Sequence, residues 1–342
     1  MKEKSGIEEL CHQILEDNGG FIADKARTIL LEDPTLKGLR PLTEFISENW
    51  RDPLTPALMS LSCEAVGGRP DKTYDAALAM SLMNLSFYVW DDIVDNAPHK
   101  LLRPTLFGKF GEGPALIVGG LAAARAFTIL NKMDIRKVKR IIVTHQFWNL
   151  WAKMAQAETT SLRLLSQGVF SSKKKFWKIK TEASANPKTC LEIGAVLGNG
   201  SGNQVRHLGR YGQSLGMILE LWKDFHVSVN LTLELAERIR ARALPYALLW
   251  ASEHSEKVRT ELALLADKKV IEQSHLKQIV EDVLETETLD NTTKQIKRFS
   301  EKARKNLFMI GTNNATKTLH FLIEAQPRLF IESLPKLHQY ER

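Results

Sequence analysis

The chain has 342 residues, of which 44% are hydrophobic and 25% are charged. These proportions are typical of a folded globular protein and exclude a disordered or collagen-like chain. Its 47 basic and 40 acidic side chains leave a formal net charge of +7, a small excess that favours anionic partners without selecting nucleic acid. Three widely separated cysteines, Cys11, Cys63 and Cys190, indicate neither a disulfide framework nor a zinc site.

The sequence predicts neither a signal peptide nor a membrane span. Residues 1–20 are charged and lack the apolar stretch and small-residue cleavage site of a signal peptide. Apolar stretches such as 114–121 are shorter than the ~18 residues that span a bilayer. We therefore predict a soluble, cytoplasmic protein with no transmembrane segment. No recognition-helix signature supports nucleic-acid binding, so none is expected.

Helical spacing of apolar residues runs through the whole chain, and alternating strand patterns are nearly absent. In chain order, the spacing predicts helices over 54–66, 71–94, 113–131, 135–166, 187–199, 203–230, 234–251, 256–265, 272–285 and 290–308. A basic run at 171–175 is interpreted as a solvated loop, with a cationic rim over an anionic ligand or a membrane as the alternative. The predicted fold class is all-α.

Three aspartates, Asp91, Asp92 and Asp95, follow an apolar helical stretch at 76–89. At 3.6 residues per turn, Asp91 and Asp95 lie on one helical face, one turn apart. Acids at a helix C-terminus oppose the helix dipole and repel one another, so a bound cation would stabilise them. Their oxygens suit Mg²⁺, although such acids can also simply solvate a helix end. The apolar stretch before them favours the metal site.

The sequence resembles the trans-prenyl diphosphate synthases of the isoprenoid synthase superfamily. The matching segments, in chain order, are 63–68, 91–96, 103–105, 109–111, 155–158, 211–216 and 244–249. The resemblance implies an all-α bundle around a central apolar cavity, in which Mg²⁺ binds an allylic prenyl diphosphate, and it implies homodimers or heterodimers with a homologue. We accordingly predict one all-α domain over 1–342, with a variable N-terminal helical extension at 1–50 and a prenyltransferase-like core at 51–310.

The resemblance also implies a second aspartate cluster that completes a three-metal site, and the chain departs from this pattern. The three corresponding positions are Lys223, Asp224 and Val227, so one acid is retained. Glu220, Asp224 and Ser228 still share one helical face, which resembles the metal-binding face of class I terpene synthases. An ordinary polar stripe has the same spacing. Asp224 and Glu220 are predicted as further metal ligands.

The second substrate of elongating family members, isopentenyl diphosphate, is held by basic residues. In one alignment the corresponding positions are Asp52, Thr55, Asn84 and Leu101. None of them is basic, so a second diphosphate would be bound poorly. The alternative alignment retains Lys37 and Arg40, but it requires extra residues before the acidic segment.

Basic residues are also expected around the allylic diphosphate. The candidates are Arg103, Lys180, Lys188 and Lys223. A Lys-Thr pair contacts this diphosphate in the family, and both 180–181 and 188–189 qualify.

Together these features predict a Mg²⁺-dependent enzyme that ionises an allylic prenyl diphosphate. Because the acceptor site lacks cations, the favoured hypothesis is a terpene synthase-like enzyme that cyclises or deprotonates the resulting cation. The alternatives are a chain-elongating prenyl diphosphate synthase and a non-catalytic partner subunit of one. The retained Asp91, Asp92 and Asp95 argue against a non-catalytic subunit, which would have no physical use for three clustered acids.

Overall fold

The computed structural model describes residues 6–100, 103–167 and 172–333, and these are almost wholly helical. The α-helices of these ranges are α1 (Gly6–Leu15), α2 (Phe21–Thr28), α3 (Arg40–Asn49), α4 (Leu54–Ala65), α5 (Tyr74–Val94), α6 (Leu106–Phe110), α7 (Glu112–Lys132), α8 (Lys137–Gln167), α9 (Lys173–Ala183), α10 (Ala185–Leu197), α11 (Gly202–Val229), α12 (Leu233–Arg240), α13 (Tyr246–His254), α14 (Glu256–Ala266), α15 (Gln273–Leu284), α16 (Thr288–Phe308) and α17 (Asn314–Ser333). Two short strands, β1 (His99–Lys100) and β2 (Arg103–Pro104), form an antiparallel hairpin in which Lys100 faces Arg103. The predicted all-α class is confirmed.

The centre of the bundle is formed by α4, α5, α10 and α11, with α7 packed on α5 and α16 packed on α11. Both α4 and α5 are apolar on nearly every side, which is typical of helices buried within a protein. Met59 of α4 and Met80 and Met83 of α5 are fully buried. The C-terminal ends of α5 and α11 are the parts that carry the predicted acids.

A close approach between α11 and the start of α10 sets the position of α9. A Cβ atom at Gly216 would lie 2.3 Å from the backbone oxygen of Ser184, so only glycine fits there without a shift. Gln213 reinforces the contact by donating a hydrogen bond of 2.6 Å to the Ser184 hydroxyl. Because Lys180 lies one turn before Ser184, this contact brings Lys180 beside α11.

Two elements differ from the predictions. The helix predicted over 234–251 is wrong, because Arg242 adopts a left-handed conformation (φ 56°) and Pro245 follows, which divides the segment into α12 and α13. The loop predicted at 171–175 is also wrong where the structure describes it. Ser172 caps the backbone N–H of Lys175 and begins α9, whereas Ser171 lies outside the described residues.

Among the described residues one helix, α7, is long and apolar enough to cross a membrane, with a mean hydropathy of 1.6 over its 18-residue window. About two-fifths of that window is buried inside the bundle (39%). A core helix of a soluble protein can have the same length and mean hydropathy as a membrane-spanning helix. The predicted cytoplasmic location therefore stays a prediction, as does the division at residue 50.

Candidate active site

The first acidic face lies at the C-terminal end of α5. Asp92 is fully buried, the side chain of Asp91 is 35% exposed, and Asp95 is exposed. Lys100 lies between the first two acids, with its Nζ 2.8 Å from Asp91 Oδ2 and 2.7 Å from Asp92 Oδ1. It also lies over the ring of Tyr88, 5.3 Å from the centroid. One ammonium therefore neutralises part of the charge of this face.

The chain turns sharply after α5, and this turn places Lys100 beside the C-terminal end of the helix. Asn96 takes a left-handed conformation (φ 48°), which asparagine tolerates better than most residues. Thr105 then fastens the hairpin by donating from its hydroxyl to the backbone oxygen of Ala97 (2.8 Å) and from its N–H to that of Pro98 (3.0 Å). These local bonds position β1, and with it the Lys100 ammonium.

The second acidic face lies on α11, where Glu220 and Asp224 are one turn apart. Lys180 Nζ lies 2.9 Å from Glu220 Oε2 and 3.0 Å from Asp224 Oδ1. Arg238 of α12 approaches the same Asp224 oxygen at 3.5 Å. Asp224 is fully buried and the Lys180 side chain is only 13% exposed, so these ion pairs are largely shielded from water.

The charges of the two faces act on each other. Burial alone would raise the pKa of Asp91, but Lys223 and Lys100 outweigh it and hold that pKa below its ordinary value. Burial raises the pKa of Asp92. Burial and the neighbouring Asp91 likewise raise the pKa of Asp95, with Lys223 acting in the opposite direction. The positive charge of Lys223, on α11, therefore reaches the acids of α5.

The cations of the second face remain charged despite their burial. Burial would lower the pKa of Lys180, but Asp224 and Glu220 raise it above its ordinary value. Burial would also lower the pKa of Arg238, but Asp224 and Glu234 raise it above its ordinary value. Both groups are therefore permanent positive charges at neutral pH.

The predicted diphosphate-binding residues are not all brought together. Of the two candidate lysines in Lys-Thr pairs, Lys180 lies at the second acidic face. Lys188 instead pairs with Glu192 of its own helix at 3.9 Å. Arg103 is exposed on the hairpin and forms no ion pair with an acid of the described ranges. The hydroxyl of Ser228 donates to the backbone oxygen of Asp224 (2.7 Å), so it is directed along its own helix.

Three residues at this site were not among the predicted site residues. Lys100 immediately precedes Leu101, which one alignment assigned to the acceptor diphosphate, so that alignment could also have identified Lys100. Leu101 itself lies outside the described residues. Arg238 is brought in by tertiary structure alone and has no sequence signal. Glu158 of α8 was noted only as part of a matching segment. Burial, then Asp95 and Asp91, raise its pKa.

Three of the positions assigned to the acceptor diphosphate, Asp52, Thr55 and Asn84, form a hydrogen-bonded cluster in which the described residues include no cation. Asn84 donates to Asp52 Oδ2 (2.9 Å) and to Thr55 Oγ1 (2.6 Å), and Asn186 donates to Asn84 Oδ1. These contacts support the alignment that uses Asp52 and Thr55. In the other alignment, Arg40 pairs with Glu44 on the surface at 2.8 Å.

Buried oxygens on both acidic faces provide a test of whether Mg²⁺ fits. Asp92 Oδ2 and Asp224 Oδ2 are buried and have no hydrogen-bond partner in the described parts of the chain. At Asp92, whose face has one ammonium for three acids, this arrangement favours an additional cation. Asp224 already has Lys180 and Arg238 at its other oxygen. Within those parts no three acid, histidine or cysteine side chains converge as a complete metal site. Mg²⁺ commonly takes one or two carboxylates and completes its shell with water and phosphate oxygens. The first face therefore fits a magnesium ion that arrives with a diphosphate.

A separate cavity of about 630 Å³ opens between α16 and α17. Its lining is Arg304, Lys305, Leu307, Phe308, Gly311, Thr312, Thr316, Lys317 and His320. The side chain of Asn306, on α16 beside this cavity, is hydrogen-bonded to His207 near the start of α11. Asp224 lies about 25 Å further along α11. The cavity is therefore not part of the acidic site.

The polyprenyl synthetase family matches residues 53–232, more than half of the chain. The geranylgeranyl diphosphate synthase of Methanosarcina mazei is 23% identical over 171 residues, which cover 50% of this chain and 53% of that protein. The chain thus spans about half the length of that relative. The geranylgeranyl diphosphate synthase of Saccharolobus solfataricus is 22% identical over 289 residues, covering 79% of this chain and 84% of that protein.

Solved structures give the same fold. A polyprenyl synthase from Caulobacter crescentus, complexed with calcium and isoprenyl diphosphate, superposes with a TM-score of 0.80 at 16% identity, covering 96% of this chain and 99% of that one. This likeness shows the isoprenoid synthase fold that the sequence predicted; the central apolar cavity stays a prediction. With the family match over residues 53–232, it follows that the chain belongs to the polyprenyl synthetase family.

Proposed function

We propose that the protein binds an allylic prenyl diphosphate between its two acidic faces, ionises it, and transfers the prenyl group to isopentenyl diphosphate as a chain-elongating prenyl diphosphate synthase. The observation that carries this proposal is the paired arrangement at the ends of α5 and α11. On each helix two acids one turn or less apart hold a lysine, Lys100 on the first face and Lys180 on the second, with side chains that are 31% and 13% exposed.

The side chains of the site have separable roles in this proposal. Asp91 and Asp95 would hold Mg²⁺, which when bound neutralises the charge that grows on the diphosphate as its C–O bond breaks. Lys100 and Lys180 each have three N–H donors. They would donate to diphosphate oxygens in charge-assisted hydrogen bonds, and so stabilise the leaving group.

Aromatic side chains before the first face would shield the reacting carbon from water. The Trp151 ring centroid lies 5.0 Å from that of Trp90 and 5.3 Å from that of Phe87, and both partners lie within one turn of Asp91. Such rings stabilise a nearby cation by ~1–2 kcal/mol. Excluding water there favours carbon–carbon bond formation over capture of the cation as an alcohol.

Elongation is now favoured over the cyclisation that the sequence suggested. The two relatives described above are named geranylgeranyl diphosphate synthases, and this chain matches the polyprenyl synthetase family. The resemblance of α11 to a terpene synthase metal face is also weaker than expected, because the Ser228 hydroxyl bonds to its own helix backbone.

One observation favours a second candidate, ionisation without isopentenyl diphosphate. The cluster of Asp52, Thr55 and Asn84 places a carboxylate where an acceptor diphosphate would need cations. A diphosphate beside Asp52 would be repelled and would lack partners for its own charge.

An assay with purified protein and Mg²⁺ separates these functions. Allylic diphosphates of increasing length are incubated with and without isopentenyl diphosphate, and the products are identified by mass spectrometry. We expect longer diphosphates only when isopentenyl diphosphate is present. Hydrocarbons or alcohols released without it would support the second candidate. No turnover in either case, with altered product length when an active homologue is added, would indicate a partner subunit.

We also propose that a second copy of the chain covers α7 and α8. Each helix presents exposed apolar side chains at helical spacing to solvent, namely Leu116, Ile117, Phe127, Val138, Ile141 and Trp148. Trp148 is 62% exposed, an unusual exposure for so large an apolar side chain. Exposed apolar side chains grouped on neighbouring helices are typical of an interface.

Replacing Trp148 with glutamate should convert a dimer into a monomer, because the charge would be buried against the apolar partner. Light scattering coupled to size-exclusion chromatography measures the mass. Phe308→Glu is the matched control, because Phe308 is 84% exposed but lies on α16, and this variant should remain dimeric. A monomeric native protein would contradict the homodimer; a monomer that pairs with an added homologue would indicate a heterodimer instead.

A further inference from the structure

The second acidic face already holds the cations that balance its acids. Lys180 contacts both Glu220 and Asp224 at 3.0 Å or less, and Arg238 adds a second positive charge to Asp224. With Lys223 between the two acids in sequence, and with Glu234 paired to Arg238 at 3.3 Å, this face carries three cations and three carboxylates, a balance of 3 − 3 = 0. The first face carries Asp91, Asp92 and Asp95 against Lys100, a balance of 1 − 3 = −2.

Lys223 adds a third positive charge to the second face. It stands at the point of α11 where the family resemblance implies the first acid of the second cluster, and its side chain is exposed. Its charge acts on Asp91 and Asp95 of α5 as well as on Glu220. An ammonium there would add positive charge on the α11 side of the proposed diphosphate site.

A divalent ion should bind the second face only weakly. It would have to displace Lys180 from two shielded carboxylates and remain beside Lys223 and Arg238, against their repulsion. Ammonium and guanidinium groups can instead contact phosphate oxygens directly, and the guanidinium fork of Arg238 matches them in shape.

We infer that divalent metal binds this protein at the α5 face alone, and that Lys180, Lys223 and Arg238 bind the other side of the diphosphate directly in place of metal. This inference rests on the proposed function, since it concerns the same diphosphate. It implies fewer metal ions for each bound diphosphate than a site with two complete acidic clusters requires. It also implies that some affinity for the diphosphate remains without any metal.

The test counts metal ions and measures affinity with inorganic pyrophosphate as the probe, so turnover is not needed. Equilibrium titration followed by Mn²⁺ electron paramagnetic resonance gives the ions bound per chain at saturating pyrophosphate. Calorimetry in the presence of a chelator gives the metal-free affinity. The variants are Lys223→Asp and, as a charge-matched control, Lys178→Asp, which changes an exposed lysine of α9.

For the native protein and Lys178→Asp, we expect no more than about two Mn²⁺ ions per chain and measurable binding of pyrophosphate without metal. Lys223→Asp should weaken the metal-free binding about tenfold and raise the Mn²⁺ count by about one. A merely structural defect would lower both quantities. A third ion in the native protein, or a count unchanged by Lys223→Asp, would overturn the inference while leaving the proposed function intact. Pyrophosphate that fails to bind even with Mn²⁺ would overturn both.

Discussion

Replacing Asp91 with asparagine should slow diphosphate release from an allylic prenyl diphosphate by about a hundredfold to a thousandfold. The amide keeps the size of the side chain but removes a charge that Lys223 and Lys100 maintain in the native protein. Without that carboxylate, the α5 face loses the ligand that shares one helical side with Asp95. The measurement is the initial rate of pyrophosphate formation at saturating Mg²⁺, together with a check that the variant is folded.

Asp75→Asn is the matched control for Asp91→Asn. Asp75 lies in the first turn of the same helix, about 24 Å from Asp91 along its axis, so the same substitution there should leave the rate nearly unchanged. Equal rates for the folded Asp91→Asn variant and the native protein would remove Asp91 from the proposed metal site.

The second large effect is expected from Lys180→Met, which should lower the free energy of unfolding by about 3–5 kcal/mol. Methionine fills much of the same space but leaves the buried Asp224 and the shielded Glu220 without their ammonium partner. The variant should also release diphosphate more slowly, because a donor to the leaving group is lost. Chemical denaturation monitored by circular dichroism measures the first effect.

The pH dependence of Lys180→Met follows from the carboxylates that it leaves behind. Burial alone would raise the pKa of Glu220, but in the native protein Lys180 and Lys223 lower it. Glu220 therefore contributes stability at neutral pH that is lost as the pH falls through its pKa. Without Lys180 that contribution disappears, so the difference in stability should be greatest near neutral pH and smaller in acid.

Lys188→Met is the control for Lys180→Met. Its pair with Glu192 is longer, 3.9 Å, and both side chains are partly exposed, so we expect a loss below about 1 kcal/mol. If the two lysine variants lose the same free energy of unfolding, the buried ion pairs of the second face stabilise the protein no more than the partly exposed pair of Lys188 does.

Local patterns predicted the first acidic face well. The apolar helix predicted over 71–94 is α5, and the spacing of Asp91 and Asp95 follows from helical geometry alone. The alignment of Asp52, Thr55 and Asn84 also brought together residues that contact each other, because it rested on several matching segments in order.

The cations of the site were harder to predict, because tertiary contacts decide them. Lys180 and Lys188 both belong to Lys-Thr pairs, and tertiary contacts distinguish them, because Lys180 lies beside Glu220 and Asp224 whereas Lys188 pairs with Glu192. Arg238 reaches Asp224 because the chain turns between the end of α11 and the Thr232 cap of α12, a tertiary arrangement that periodicity could not reveal. The basic run at 171–175 was predicted as a loop because its charges obscured the Ser172 cap of α9.

The most direct test of the central claim is to locate metal in crystals grown with Mn²⁺ and inorganic pyrophosphate, using anomalous diffraction at the manganese edge. We expect anomalous density within coordination distance of Asp91 and Asp95, with pyrophosphate between that density and the side chains of Lys180 and Arg238. Bound pyrophosphate with no metal beside Asp91, or metal and pyrophosphate only in the cavity between α16 and α17, would contradict it.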